Sequence, residues 1–229
     1  MTNLIFDYDG TIHNTMKTYA PAFRNTCKWL YDNGYISELK EYSDKQISYW
    51  LGFNSTDMWE MFMPELPFEI RETARKRLGK DMAERIDNGE GSLFEWAEEI
   101  LSTLKNMNYN LIFLSNCRIH YMERHKKVFE LDRFFNYFYC CEEFDFIPKY
   151  EIFQKIKPYH NGQFIVIGDR FHDIEMAVKN NLCSIGCGYG YGSPEELADA
   201  NIIVDDIRKI PDAVHSLTRI NKNFPHQSP

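Results

Sequence analysis

No apolar run in this chain approaches the roughly 20 residues that a membrane-spanning helix needs, and no basic stripe is present to hold it against a membrane surface. Positive charge is in deficit, with 26 Lys and Arg against 34 Asp and Glu and a formal net charge of −8. That balance argues against a general nucleic-acid binder. The six cysteines (Cys27, Cys117, Cys140, Cys141, Cys183, Cys187) form no repeated pattern. Cys183 and Cys187 are four apart, but no second Cys or His pair stands near to complete a zinc site. All six read as reduced thiols. The N-terminus lacks a basic region followed by an apolar signal core, so the expected location is cytoplasmic. Internal repeats and low-complexity segments are absent too.

What is present is material for a sizeable core: 229 residues, 44% apolar and 15% aromatic. This fits one large domain or a core with a smaller insert. The chain is organised around Leu4-Ile5-Phe6-Asp7-Tyr8-Asp9-Gly10-Thr11. An apolar run from Asn3 reads as a buried strand that delivers two carboxylates, one residue apart, at its C-terminal end, where Gly10 lets the backbone turn. In an open α/β sheet, ligands sit outside the carboxyl ends of the strands. Two acids placed there repel one another and make sense if a divalent cation, a bound phosphate or a covalent step uses them. A solvated turn remains the alternative for this stretch alone.

Apolar spacing predicts helices over Met16–Leu30, Ser43–Trp50, Ser55–Phe62 and Phe68–Ile86, with no convincing strand among them. Residues 14–88 are therefore expected to form a small all-helical domain inserted after the first strand. From Gly89 helix and strand alternate. A helix is expected over Ser92–Asn106, with Ser92 as N-cap and Glu95 completing a capping box. Strands follow at 110–115, 137–141, 164–168, 183–186 and 202–204, separated by helices over Tyr121–Glu130, Tyr150–Ile156 and Asp173–Asn180. This order implies right-handed crossovers and an α/β fold, a Rossmann-like parallel sheet with helices on both faces. The expected division is a core of 1–13 and 89–219, the helical cap of 14–88, and a loose tail of 220–229.

Three later strand ends carry polar groups. Ser115-Asn116 offers a hydroxyl and an amide for phosphoryl oxygens, or helix-capping chemistry. Lys149 lies between an acidic loop and a helix, where it could neutralise a phosphate or hold Asp7 ionised, or be an exposed lysine. Gly168-Asp169, with Asp173 four residues on, suits Mg²⁺, a hard cation wanting oxygen ligands; a plain turn and an N-cap are the alternatives.

Together, Asp7-Tyr8-Asp9-Gly10-Thr11, Ser115-Asn116, Lys149 and Gly168-Asp169-Arg170-Phe171-His172-Asp173 resemble the motifs of the haloacid dehalogenase-like superfamily, in its phosphatase branch with a helical cap. The segment Gly188–Leu197 further resembles its phosphoglycolate-phosphatase-like members. The resemblance implies that Asp7 attacks the phosphorus of a small, soluble phosphomonoester and that Asp9 serves as acid and then base. It implies Mg²⁺ held by Asp7, Asp9 (through its backbone carbonyl), Asp169 and Asp173, with Ser115, Asn116 and Lys149 on the phosphoryl oxygens. Members that cleave carbon–halogen bonds lack an acid at the position of Asp9, so its presence favours phosphoryl transfer. His13-Asn14 stands where the family often has an acid, and Pro148 precedes Lys149 where relatives have a proline after it. Within the cap, Leu51-Gly52-Phe53-Asn54 resembles the loop that touches substrate, which makes Gly52 and Asn54 candidate contacts; an ordinary helix–helix turn is the alternative. A phosphosugar mutase and a non-catalytic binding protein are the other functions such a scaffold allows. The expected assembly is a monomer or homodimer.

Overall fold

The computed structural model describes residues 1–223, with side chains as far as Arg219. Strand β1 (Thr2–Phe6) lies in the middle of a six-stranded sheet with β2 (Asn110–Ser115), β3 (Tyr137–Cys140), β4 (Gln163–Gly168), β5 (Cys183–Cys187) and β6 (Ile202–Val204). The order is β3-β2-β1-β4-β5-β6, and every pair is parallel. The strand order reverses beside β1, and that reversal is where an open α/β sheet leaves its ligand crevice.

Alternation along the strands separates two apolar layers. Leu4 and Phe6 of β1, with Leu111 and Phe113 of β2, pack against helices α5 (Ala97–Asn106), α6 (Ile119–Val128) and α9 (Ile210–Asn223). Ile5, Ile112, Leu114 and Val166 face the other way, onto α7 (Lys149–Ile156) and α8 (Phe171–Lys179). The expected doubly covered α/β fold is therefore the one observed. Between β1 and α5, helices α1 (Met16–Asp32), α2 (Asp44–Ser48), α3 (Ser55–Phe62) and α4 (Phe68–Asp87) share a third apolar cluster of their own, which includes Phe23, Leu30, Trp59 and Leu78. No helix of the described residues is long and apolar enough to cross a membrane.

The expected capping box at Ser92 is not formed. The returning chain first runs beside the end of the Asp9–His13 turn: Asn14 N–H donates to Ser92 O, Phe94 N–H donates to Ile12 O, and His13 bridges Leu93. Helix α5 starts only at Ala97, after Trp96 adopts the left-handed region at φ 71°. Tertiary pairing here overrides a local start signal. Helices α6 and α8 begin two residues earlier than their apolar spacing suggests, which places Asp173 inside the first turn of α8. Helix α9 reaches Asn223, past the expected onset of the loose tail at 220; residues 224–229 of that tail lie outside the described residues.

At the sheet end away from the crevice, buried Asn3 ties three strands together. Its Nδ2 donates to Asn161 O and Gln163 O, and its Oδ1 accepts from Asn110 Nδ2 at 2.7 Å. Asn3→Leu strands the Asn110 amide in an apolar setting and is expected to lower stability by about 1–3 kcal/mol in denaturant titrations. Activity per folded molecule is expected to stay the same, because this site is remote from the crevice.

Candidate active site

Because β1 and β4 are in register, with Phe6 opposite Ile167, the residues that follow them emerge side by side. Asp7 N–H donates to Ile167 O, which seats the Asp7 carboxylate beside Asp169 at the tip of β4. Gly10 makes this closeness possible. Its φ is +88°, and a Cβ there would lie 2.2 Å from Asp169 Oδ2. The loop after β5 closes the other side: Tyr191 N–H donates to Asp169 Oδ2 at 2.7 Å, and Thr11 Oγ1 donates to Oδ1.

Lys149, the first residue of α7, is only 4% exposed. Its Nζ lies 2.6 Å from Asp7 Oδ1 and 2.6 Å from Asp173 Oδ1. Asp173 Oδ2 accepts from Arg170 N–H, so the acid caps α8 from inside its first turn while facing the lysine. One ammonium is thus shared by Asp7 and Asp173, within a cluster where Asp7, Asp169 and Asp173 bring oxygens within 4.8 Å of one another. Burial pushes Asp7 up to about 7, with Asp173 and Asp9 adding to the rise against the pull of Lys149. Burial, followed by Asp7 and Asp173, also holds Asp169 well above the ordinary carboxylate range. Burial disfavours the Lys149 charge, yet Asp173 and Asp7 hold its pKa above the ordinary value. Three desolvated carboxylates against one cation are the donor set a hard divalent ion satisfies, and the residues fit such an ion.

Asp9 is treated oppositely. Burial would raise it, but His13 (by hydrogen bond and charge), Tyr121 and Thr15 outweigh that and hold it below the ordinary value. Tyr121 OH donates at 2.6 Å, Thr15 Oγ1 at 2.7 Å, and His13 Nδ1 lies at 3.2 Å. All three meet Oδ1. Beneath them Tyr8 stacks on His13 and hydrogen-bonds His125 Nδ1, while Tyr121 stacks on His125. His13 and Tyr121 had no motif to announce them: Tyr121 lies 112 residues from its partner. The only sequence signal was a histidine where relatives often place an acid.

A cavity of about 440 Å³ opens above these groups, lined by Asp7, Asp9, Ser115, Asn116 and Gly52 among others. The Asn116 side chain donates to Gly52 O at 2.9 Å and so joins the sheet to the 51–54 loop. Asn54 is placed differently from the sequence expectation. Its carboxamide caps α3 by accepting from Thr56 N–H and Asp57 N–H, and Leu51, Gly52, Phe53 and Ser55 line the cavity instead.

The family model for haloacid dehalogenase-like hydrolases matches residues 4–187. The chain belongs to that family. No curated relative matches it significantly in sequence. Among solved structures, a predicted phosphatase from Clostridium acetobutylicum superposes with a TM-score of 0.76 at 22% identity, covering 94% of this chain and 98% of its own. A predicted phosphoglycolate phosphatase from Haemophilus somnus gives 0.76 at 19% identity, covering 93% and 97%. A Thermotoga maritima protein provisionally named a beta-phosphoglucomutase gives 0.69 at 17% identity, covering 95% and 100%. At these identities the neighbours establish the fold.

The acidic cluster of this hydrolase has a pH signature. Asp7 and Asp169 titrate higher in the fold than in the unfolded chain, so their contribution to stability is full below the ordinary value of 3.8. It is lost as pH rises through about 7 for Asp7. Thermal denaturation of chelator-treated protein is expected to show a midpoint that falls between pH 4 and 7. Asp7→Asn flattens that fall, and so does added Mg²⁺.

Proposed function

We propose that the protein is a Mg²⁺-dependent phosphatase that hydrolyses a small phosphomonoester through a phosphoryl-Asp7 intermediate. The observation that carries this reading is the contrast at the tip of β1. Asp7 sits in a desolvated anionic cluster against Lys149, and Asp9, two residues on, has its own set of donors. Paired carboxylates in contrasting environments take distinct roles.

Asp7, Asp169 and Asp173, with the Asp9 backbone carbonyl, would hold the ion. When bound, it neutralises phosphoryl charge and keeps the Asp7 carboxylate ionised. Asp7 attacks phosphorus, forming an acyl phosphate as the ester P–O bond breaks. Asp9 gives its proton to the departing alkoxide. In the free enzyme its hydrogen bonds favour the ionised form, and the approach of a phosphate anion raises its affinity for the proton it then transfers. In the second step Asp9 takes a proton from water, which attacks phosphorus and releases phosphate and Asp7. The Ser115 hydroxyl, Asn116 N–H and Lys149 ammonium bind the equatorial oxygens, where transition-state charge lies. The helices of 14–88 act as a lid that excludes bulk water. Its closed position is supported by Asn116 on Gly52 O and by Arg170, whose Nη1 donates to Tyr49 O while its Nε pairs with Glu196.

Phosphate release from 4-nitrophenyl phosphate is expected to require Mg²⁺ and to fall by at least about 10³-fold in Asp7→Asn. Asp9→Asn is expected to lower it by about 10²–10⁴-fold. Activity that survives both Asp7→Asn and chelation would overturn this reading.

A further inference from the structure

The cavity is far larger than a two-carbon phosphate requires, and its walls are sharply divided. Its volume, about 440 Å³, is in the range that encloses drug-sized ligands. The phosphoryl end lies at Asp7 and Asp9, the only carboxylates among the described residues that line the cavity. Above them Trp50, Phe53, Met58, Trp59, Leu78 and Met82 form an apolar wall, in which Trp50 packs against Phe53 and on through Phe62 to Trp59.

The rest of the lining carries cations. Arg75, Lys76 and Lys80 come from α4, and Arg118 and Arg124 from the segment after β2. Part of this charge is already matched. Arg75 is held by Glu72 at 2.7 Å, Arg118 by Glu142 at 2.8 Å, Arg124 by Asp87, and Lys80 by Glu84 at 3.6 Å. Glu72 is nevertheless shared among Arg75, Lys76 and Arg118, and His120 in the same wall is held below its ordinary value by burial and by Arg118, Arg124 and Arg75 against Glu142. Four carboxylates thus answer five lining cations, and the surplus positive charge is that of Lys76.

Helix α4 also leaves the space open. Gly79 stands in its interior, where glycine is a poor helix former. A Cβ there would meet nothing within 4 Å, and the residue itself lines the cavity.

We propose that the cavity selects the monophosphate of a flat, largely apolar alcohol that carries a second anionic group at the end away from the ester, and selects against phosphoglycolate. The phosphate seats at Asp7, the ring system lies along Trp50 and Phe53, and the distal anion meets Lys76 and Arg75. This assignment rests on the phosphatase reading and adds the substrate class to it.

The test uses the Mg²⁺-loaded full chain and three esters: 4-carboxyphenyl phosphate, its uncharged counterpart 4-carbamoylphenyl phosphate, and phosphoglycolate. Expected kcat/KM is highest for the carboxyphenyl ester, at least about tenfold above the carbamoyl ester, and higher still relative to phosphoglycolate. Lys76→Met, at an exposed position, lowers the ratio of carboxyphenyl to carbamoyl turnover. Gly79→Leu, which favours the helix and puts bulk in the opening, shifts the ratio of aryl ester to phosphoglycolate at least about tenfold toward phosphoglycolate. The ratios among the three esters for the unaltered protein need no variant to fold. Phosphoglycolate turned over as well as the aryl esters, or equal turnover of the charged and uncharged pair, overturns the substrate assignment and leaves the phosphatase reading standing. Release from none of the three, nor from 4-nitrophenyl phosphate, overturns both.

Discussion

The bridge from the Lys149 ammonium to Asp7 and Asp173 is the interaction on which the rest of the crevice depends. Removing charges from water is costly, and a buried cluster persists only if opposite charge and hydrogen bonds replace the lost solvation. Here one ammonium bridges two carboxylates while a third, Asp169, lies beside them, so the bridge holds the cluster together without neutralising it. Burial, with the neighbouring carboxylates adding to it, pushes Asp7 and Asp169 upward, and the same crowding of acids makes the donor set suit a divalent ion. A cluster that lowers the stability of the fold in the absence of a cation is reasonable at a site proposed to hold one and to transfer a phosphoryl group.

The surrounding architecture serves that bridge. Parallel register between β1 and β4 sets Asp7 beside Asp169, Gly10 permits the approach, and the first turns of α7 and α8 deliver Lys149 and Asp173 from the same edge of the sheet. Asp9 lies two residues from Asp7 but is served by a separate aromatic and histidine network with His13, Tyr121 and Thr15. Two neighbouring acids thereby meet contrasting surroundings, which the proposed division between nucleophile and acid–base group requires.

Much of this was legible in the chain. Apolar runs ending in Asp7-Tyr8-Asp9-Gly10, Ser115-Asn116 and Gly168-Asp169 named both the strands and the crevice, because a parallel sheet places its loop chemistry at one edge. The start of α5 was not legible: Ser92 and Glu95 offer a good local cap, but pairing with the His13 turn takes that segment first. Asn54 looked like a substrate contact and is an N-cap, as Asx chemistry beside a helix often is. Tyr121 and the cationic lining of the cavity depend on contacts between segments distant in sequence, and local pattern carries no trace of those. The proposed substrate class, for the same reason, rests on the lining of the cavity and not on local pattern.

The most direct test of the account is acid-quenched mass spectrometry of the Mg²⁺-loaded enzyme during turnover of 4-nitrophenyl phosphate. The account predicts one added phosphoryl group on the peptide containing Asp7, removed by hydroxylamine and absent in Asp7→Asn. A phosphoryl group on any other residue, or steady turnover by Asp7→Asn, would contradict it.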